Sequence, residues 1–124
     1  MMYEKKWNSI FVGIVLLSVL LPSNFALAAT YTVGDASGWK FNVAGWENGK
    51  NFKAGDTLVF KYKSGAHTVV VVDKSSYDSC SVPTNTKTYT SGNDQITLAE
   101  GPNYFICGIP GHCGLGMKIA ANAA

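Results

Sequence analysis

The chain has 124 residues, 47% of them hydrophobic, and its 10 basic side chains, all lysines, nearly balance its 8 acidic ones for a formal net charge of +2. This size and composition predict a single globular domain. Proteins that bind nucleic acid usually concentrate lysine and arginine on one face, so a chain without arginine and with nearly balanced charge is not expected to bind nucleic acid.

The first 28 residues have the pattern of a secretory signal peptide. Lys5 and Lys6 precede an apolar run of 12 residues, Ile10–Leu21, and an Ala-Leu-Ala cleavage pattern ends at Ala28. A membrane-spanning helix needs about 20 apolar residues, so we expect cleavage after Ala28 and secretion to the extracellular space. The C-terminus lacks the hydrophobic tail of a lipid-anchor signal, so no membrane anchor is expected.

The predicted mature domain, 29–124, consists of short β-prone runs separated by turn residues. Leu58, Phe60 and Tyr62 alternate with other residues in the period-two pattern of a half-buried strand. The valine-rich run 67–73 predicts a strand buried on both faces. Many short strands with frequent turns predict an all-β antiparallel sandwich. We place strands at 30–33, 56–63, 67–73, 96–98, 104–107 and 117–120, and a helical turn at 75–79.

Four side chains have the donor types of a blue copper site. His112 lies between Cys107 and Met117 with four residues on each side, and His67 is the only other histidine. The glycines and proline of this segment exclude one continuous helix through all three ligands. Each residue alone is better explained as structural, for example Met117 as a core residue. Together, two imidazoles, a thiolate and a long axial thioether predict one type 1 copper bound by these four residues.

Zinc is the alternative metal, and a copper oxidase or dismutase is the alternative enzyme. Structural zinc sites usually contain cysteine pairs at short spacing, whereas this chain has no Cys-x-x-Cys motif. A multicopper oxidase needs further histidine-rich centres, and both histidines are already assigned. We therefore expect a copper-binding protein that is not an enzyme.

Three cysteines in a secreted chain require an explanation because one is left over after pairing. A Cys80–Cys113 disulfide with Cys107 on copper would account for all three. The alternative, Cys80–Cys107, would leave Cys113 as a free thiol outside the cell and is disfavoured.

The ligand pattern and several other segments resemble the phytocyanins, which are plant extracellular cupredoxins, and within them the plantacyanins or basic blue proteins. The likeness extends over essentially all of 29–124 and is most specific at Pro110–Cys113 and Gly116–Ile119. Further shared segments are 38–42, 52–56, 89–92, 94–96 and 104–107. The resemblance implies a Greek-key β-sandwich, a type 1 copper, a Cys80–Cys113 disulfide and transfer of single electrons.

Two positions distinguish this chain from other members of the family that it resembles. Met117 distinguishes the chain from stellacyanin-like members of the family it resembles, which have Gln at this position. Thr68 follows the first histidine, where many relatives have Asn, and we expect its shorter side chain to brace the ligand loops less.

We expect an extracellular, monomeric one-electron carrier of the apoplast or cell wall, with a transient contact to an unidentified redox partner near His112. A small apolar surface of Ile109, Pro110 and Leu115 around that histidine suits such a contact. The alternative function is an extracellular signalling or cell-wall protein, for example in plant reproduction, whose copper is structural or incidental.

Overall fold

The structure is a computed structural model that describes residues 27–124. The predicted signal peptide therefore lies outside the described residues, apart from its last two positions. Within 27–124, no helix is both long enough and apolar enough to cross a membrane.

In the described part of the chain, seven strands form two sheets, and one short α-helix and two 3-10 turns lie in the segments that connect the strands. The three-stranded sheet has the order β1-β2-β5, and the four-stranded sheet has the order β4-β3-β6-β7. The strands are β1 Thr30–Thr32, β2 Thr57–Lys61, β3 Val69–Val72, β4 Thr88–Tyr89, β5 Asn93–Thr97, β6 Gly101–Ile106 and β7 Lys118–Ala123. The helix α1 is Lys74–Ser79, and the 3-10 turns are Asp35–Ser37 and Cys113–Leu115.

The two-sheet β architecture was predicted, but one pairing differs from the antiparallel expectation. β1 pairs parallel to β2, with Thr30 opposite Thr57, whereas the other strand pairs are antiparallel. Parallel neighbours need a long connection instead of a hairpin, and the segment between β1 and β2 supplies it. The two-residue strand β4 was not predicted because it is too short to show a periodic pattern.

The core lies between the two sheets. Phe60 of β2 contacts Phe105 of β6 at a ring-centroid distance of 5.2 Å, and this contact joins the sheets. Strand β3 is buried on both faces at Val69 and Val70, as predicted, but Val71 and Val72 are only half-buried. The prediction is therefore confirmed for the half of the strand nearest His67. This buried half of β3 anchors the segment that carries His67 in the core.

The helical turn predicted at 75–79 is the α-helix α1. Asp73 caps its start because the Asp73 carboxylate accepts a hydrogen bond from the Ser76 amide at 2.8 Å. Its C-terminal cap is Cys80, in the left-handed region at φ 56°.

Candidate metal centre

Strand pairing brings the first two candidate ligands to one end of the sandwich. β3 and β6 are antiparallel neighbours, with Val70 opposite Ile106. His67 precedes β3 and Cys107 follows β6 directly. Because antiparallel strands run in opposite directions, the start of one lies beside the end of the other. The sheet therefore places His67 and Cys107 side by side.

The loop after Cys107 folds back and adds His112. Its Nδ1 atom lies 3.1 Å from His67 Nδ1 and 3.5 Å from Cys107 Sγ. One donor atom from each of the three residues lies within 4.8 Å of the other two. Nitrogen ligands lie about 2.0–2.1 Å from an ion such as zinc, so two that share an ion are at most about 4 Å apart. The spacing of the two imidazoles fits one bound ion.

Met117 is fully buried in the same core cluster as Cys107. The Cys107 amide donates a hydrogen bond to the Met117 carbonyl at 3.0 Å, and the Met117 amide donates to the His112 carbonyl at 3.2 Å. These bonds close the loop on itself, so that all three predicted loop ligands belong to one hydrogen-bonded unit.

The environment of His67 favours its metal-binding form. Burial lowers the pKa of His67 below its usual value, and the neighbouring His112 imidazole lowers it further. A neutral imidazole is the form that binds metal. Cys107 is 1% exposed, so its sulfur is shielded from solvent oxidants.

Thr68 joins the two ligand-bearing segments. Its hydroxyl accepts a hydrogen bond from the Gly108 amide at 2.8 Å, and its own amide lies 3.5 Å from Cys107 Sγ as a donor. Its carbonyl accepts a bond from Trp39 Nε1 at 3.0 Å. The short Thr68 side chain thus reaches the ligand loop directly. A Cβ at Gly108 would lie 2.8 Å from a Val70 methyl and 3.0 Å from the Thr68 hydroxyl, so this close approach requires glycine.

The disulfide is Cys80–Cys113, with the two Cα atoms 5.6 Å apart. Cys107 is the cysteine in the described part of the chain that forms no disulfide. The predicted pairing is therefore confirmed, and the alternative Cys80–Cys107 pairing is excluded. The bridge ties the end of α1 to the residue directly after His112.

An aromatic side chain that sequence reasoning did not select completes this end of the molecule. The Phe41 ring lies 5.4 Å from the His67 ring and 4.7 Å from the His112 ring, measured between centroids. Phe41 is 38% exposed and Leu115 is 61% exposed. The sequence signal available for Phe41 was its place in the 38–42 segment shared with the phytocyanins, which assigns it no role.

Comparison with known proteins agrees with this geometry. Residues 36–117 match the plastocyanin-like domain family. The basic blue protein of Arabidopsis thaliana is 54% identical over 105 residues, which cover 85% of this chain and 81% of the relative. Chemocyanin of Lilium longiflorum is 47% identical over 117 residues, covering 94% of this chain and 93% of that protein.

A solved structure has the same fold. The cucumber basic protein, a blue copper protein, superposes with a TM-score of 0.76 at 52% identity, covering 77% of this chain and 99% of that structure. The Greek-key sandwich and copper cofactor predicted from the sequence agree with this match. The chain belongs to the phytocyanin family of blue copper proteins, with the cupredoxin fold and copper as its cofactor.

Proposed function

We propose that this protein is an extracellular one-electron carrier whose type 1 copper is bound by His67, Cys107, His112 and Met117. The observation that carries the proposal is the convergence of the two imidazoles and the thiol within 4.8 Å of one another. Copper supplies a one-electron couple, Cu(I)/Cu(II), and this ligand set is the one that blue copper sites use.

The protein contributes a ligand frame that resists rearrangement. Cys107 and His67 are positioned by neighbouring strands, and the Gly108–Thr68 hydrogen bond of 2.8 Å connects their loops. The disulfide at Cys113 restrains the residue beside His112. A stiff frame lowers the structural change that accompanies a gain or loss of one electron, which favours rapid transfer.

The proposed electron port is His112. Its side chain is half-buried, and the neighbouring Pro110, Gly111 and Leu115 are exposed. A small apolar surface of this kind suits a brief encounter that buries less than about 1,200 Å². The partner is a protein or small molecule that docks transiently at this surface, while the carrier itself is a monomer.

Residues 1–28 act as a cleaved signal peptide in this proposal, and 29–124 form the functional domain, which is secreted to the apoplast or cell wall. The disulfide supports this location because disulfides persist in oxidising compartments. The protein is not an enzyme in this proposal, since both histidines of the chain serve the single copper.

Voltammetry combined with electron self-exchange tests the proposal. The copper-loaded protein should show a reversible one-electron couple. Leu115→Asp should slow exchange between oxidised and reduced copies severalfold, because it places a charge beside His112. Ala99→Asp adds the same charge at an exposed position near the opposite end of β6 and should change exchange little. An irreversible couple, or equal effects of the two substitutions, would contradict the proposed carrier and its port.

A further inference from the structure

Phe41 contacts both histidines of the candidate metal centre, although part of its side chain is exposed to solvent. A phenylalanine that is 38% exposed leaves apolar surface in water, yet its ring contacts both imidazoles of the metal centre. The interplanar angles are 86° to His67 and 68° to His112. These are edge-to-face arrangements, the geometry that aromatic pairs prefer.

The backbone that carries Phe41 is fastened to the ligand loop. We call residues 41–44 the strap. The Asn42 amide donates to the Leu115 carbonyl at 3.1 Å, and the Ala44 amide donates to the Gly116 carbonyl at 3.0 Å. A Cβ at Gly116 would lie 3.1 Å from Asn42 Cα, so the two segments pack backbone against backbone. The strap and the ligand loop therefore hold a fixed relative position.

The other side of Phe41 is fixed to the first histidine's segment. Trp39 is 2% exposed, and its indole N–H donates to the Thr68 carbonyl at 3.0 Å. Phe41 thus lies between two anchors, one to the loop of His112 and one to the residue after His67. The backbone on either side of Phe41 is therefore held close to both imidazoles.

We propose that Phe41 is a positioning residue, which holds the His67 and His112 rings in the orientation that presents both Nδ1 atoms to one copper ion. The inference rests on the proposed ligand assignment. The exposed Leu115 beside His112 belongs to the docking surface and has no such role. Two exposed apolar side chains on the same end of the molecule therefore do different work.

The first arm of the test uses the metal-free protein and does not depend on copper. In Phe41→Ala, NMR relaxation of the imidazole ring carbons should show larger-amplitude motion of both histidines. In Leu115→Ala, the same signals should match the parent. Phe41→Leu, which keeps apolar volume without a ring, should resemble Phe41→Ala. Thermal unfolding of each metal-free variant identifies any that fails to fold.

The second arm measures copper retention and geometry. An edge-to-face pair is worth about 0.5–1.5 kcal/mol, which converts to a factor of roughly 2–12 per contact. Removal of Cu(II) by EDTA should be about tenfold faster in Phe41→Ala than in the parent, with an altered copper hyperfine splitting in the EPR spectrum. Leu115→Ala should stay within about twofold of the parent.

Three results would overturn the inference. Unchanged ring motion in metal-free Phe41→Ala would show that the imidazoles hold their orientation without the ring. Equal acceleration of copper removal in Phe41→Ala and Leu115→Ala would assign Phe41 to solvent shielding alone. Faster removal that Phe41→Leu fully restores would do the same. A parent protein that binds no copper would instead refute the ligand assignment, while the ring-motion arm would still decide the role of Phe41.

Discussion

At the scale of single residues, the candidate site was largely readable from the sequence because its members are rare. The chain has two histidines and three cysteines, so few combinations were possible, and His67, Cys107 and His112 do lie together. Phe41 was not readable in this way. Its contacts to both histidines depend on how the strap folds back onto the ligand loop, and phenylalanine at an exposed position has no chemical signature of its own.

Met117→Gln should retain the blue colour and lower the reduction potential. The thioether is a soft, weak ligand that tolerates Cu(I), whereas an amide oxygen is harder and favours Cu(II). A tenfold change in that preference corresponds to about 59 mV for one electron, which sets the scale. Voltammetry of parent and variant in the same buffer measures the shift. An unchanged or raised potential would mean that Met117 is a core residue and not the axial ligand.

At the scale of elements, the sequence predicted six of the strands because each has apolar or β-branched residues in a recognisable run. It misjudged their ends by up to three residues, for example at β5 and β6, whose first residues are polar, glycine or proline. The parallel pairing of β1 with β2 was beyond local patterns, since it depends on the path of the long connection. The need for glycine in the turns, in contrast, can be explained from local backbone geometry, because many of these glycines have a positive φ.

Gly34→Ala should destabilise the protein more than Gly49→Ala. Both glycines have nearly the same positive φ, 78° and 79°, so a side chain is strained at each, by about 1–2 kcal/mol. A Cβ at Gly34 would also lie 2.0 Å from the Gly38 carbonyl oxygen. A Cβ at Gly49 would have no heavy atom of the described residues within 4 Å, apart from those of its chain neighbours. Denaturant unfolding of both variants gives the difference. An equal decrease in the free energy of unfolding for the two variants would show that the turn after β1 can rearrange to accommodate the added Cβ without loss of stability.

Asp56→Asn should weaken the fold at neutral pH but not in acid. The Asp56 carboxylate accepts hydrogen bonds from the backbone nitrogens of Ala29 and Lys53 at 2.8 and 2.9 Å, and these bonds hold its pKa below its usual value. A carboxyl whose pKa is lower in the folded state stabilises the fold above its unfolded pKa. This contribution is lost as the pH falls through the folded value.

Thermal unfolding at several pH values checks this behaviour. The midpoints of parent and Asp56→Asn should differ at pH 7 and converge as the pH falls through the folded pKa of Asp56. A difference that persists unchanged in acid would mean that the ionised carboxylate is not the stabilising species.

At the scale of the whole molecule, the β3–β6 pairing and the disulfide both restrain the metal-binding end. The disulfide closes a separation of 33 residues, and in the chain-entropy model a loop of this length stabilises by about 3–4 kcal/mol. The loss in Cys80→Ser/Cys113→Ser should be of that size in denaturant unfolding of the metal-free protein. A loss below about 1 kcal/mol would indicate that the unfolded chain is already compact without the bridge.

Cys80→Ser/Cys113→Ser also separates the frame from the ligands. Since neither cysteine is a proposed ligand, the copper-loaded variant should remain blue while it unfolds at lower denaturant concentration. Loss of colour in a variant that is still folded would assign the bridge a direct part in holding the His112 loop in its metal-binding shape.

The visible absorption spectrum of the Cu(II)-loaded protein tests most directly whether the Cys107 thiolate binds copper between His67 and His112. A thiolate in a trigonal set with two imidazoles should give an intense band near the red end of the visible range, and the protein should be blue. Cys107→Ser should lose this band and retain at most a weakly absorbing copper site. A stoichiometrically loaded parent without the band, or a Cys107→Ser variant that stays blue, would contradict the assignment.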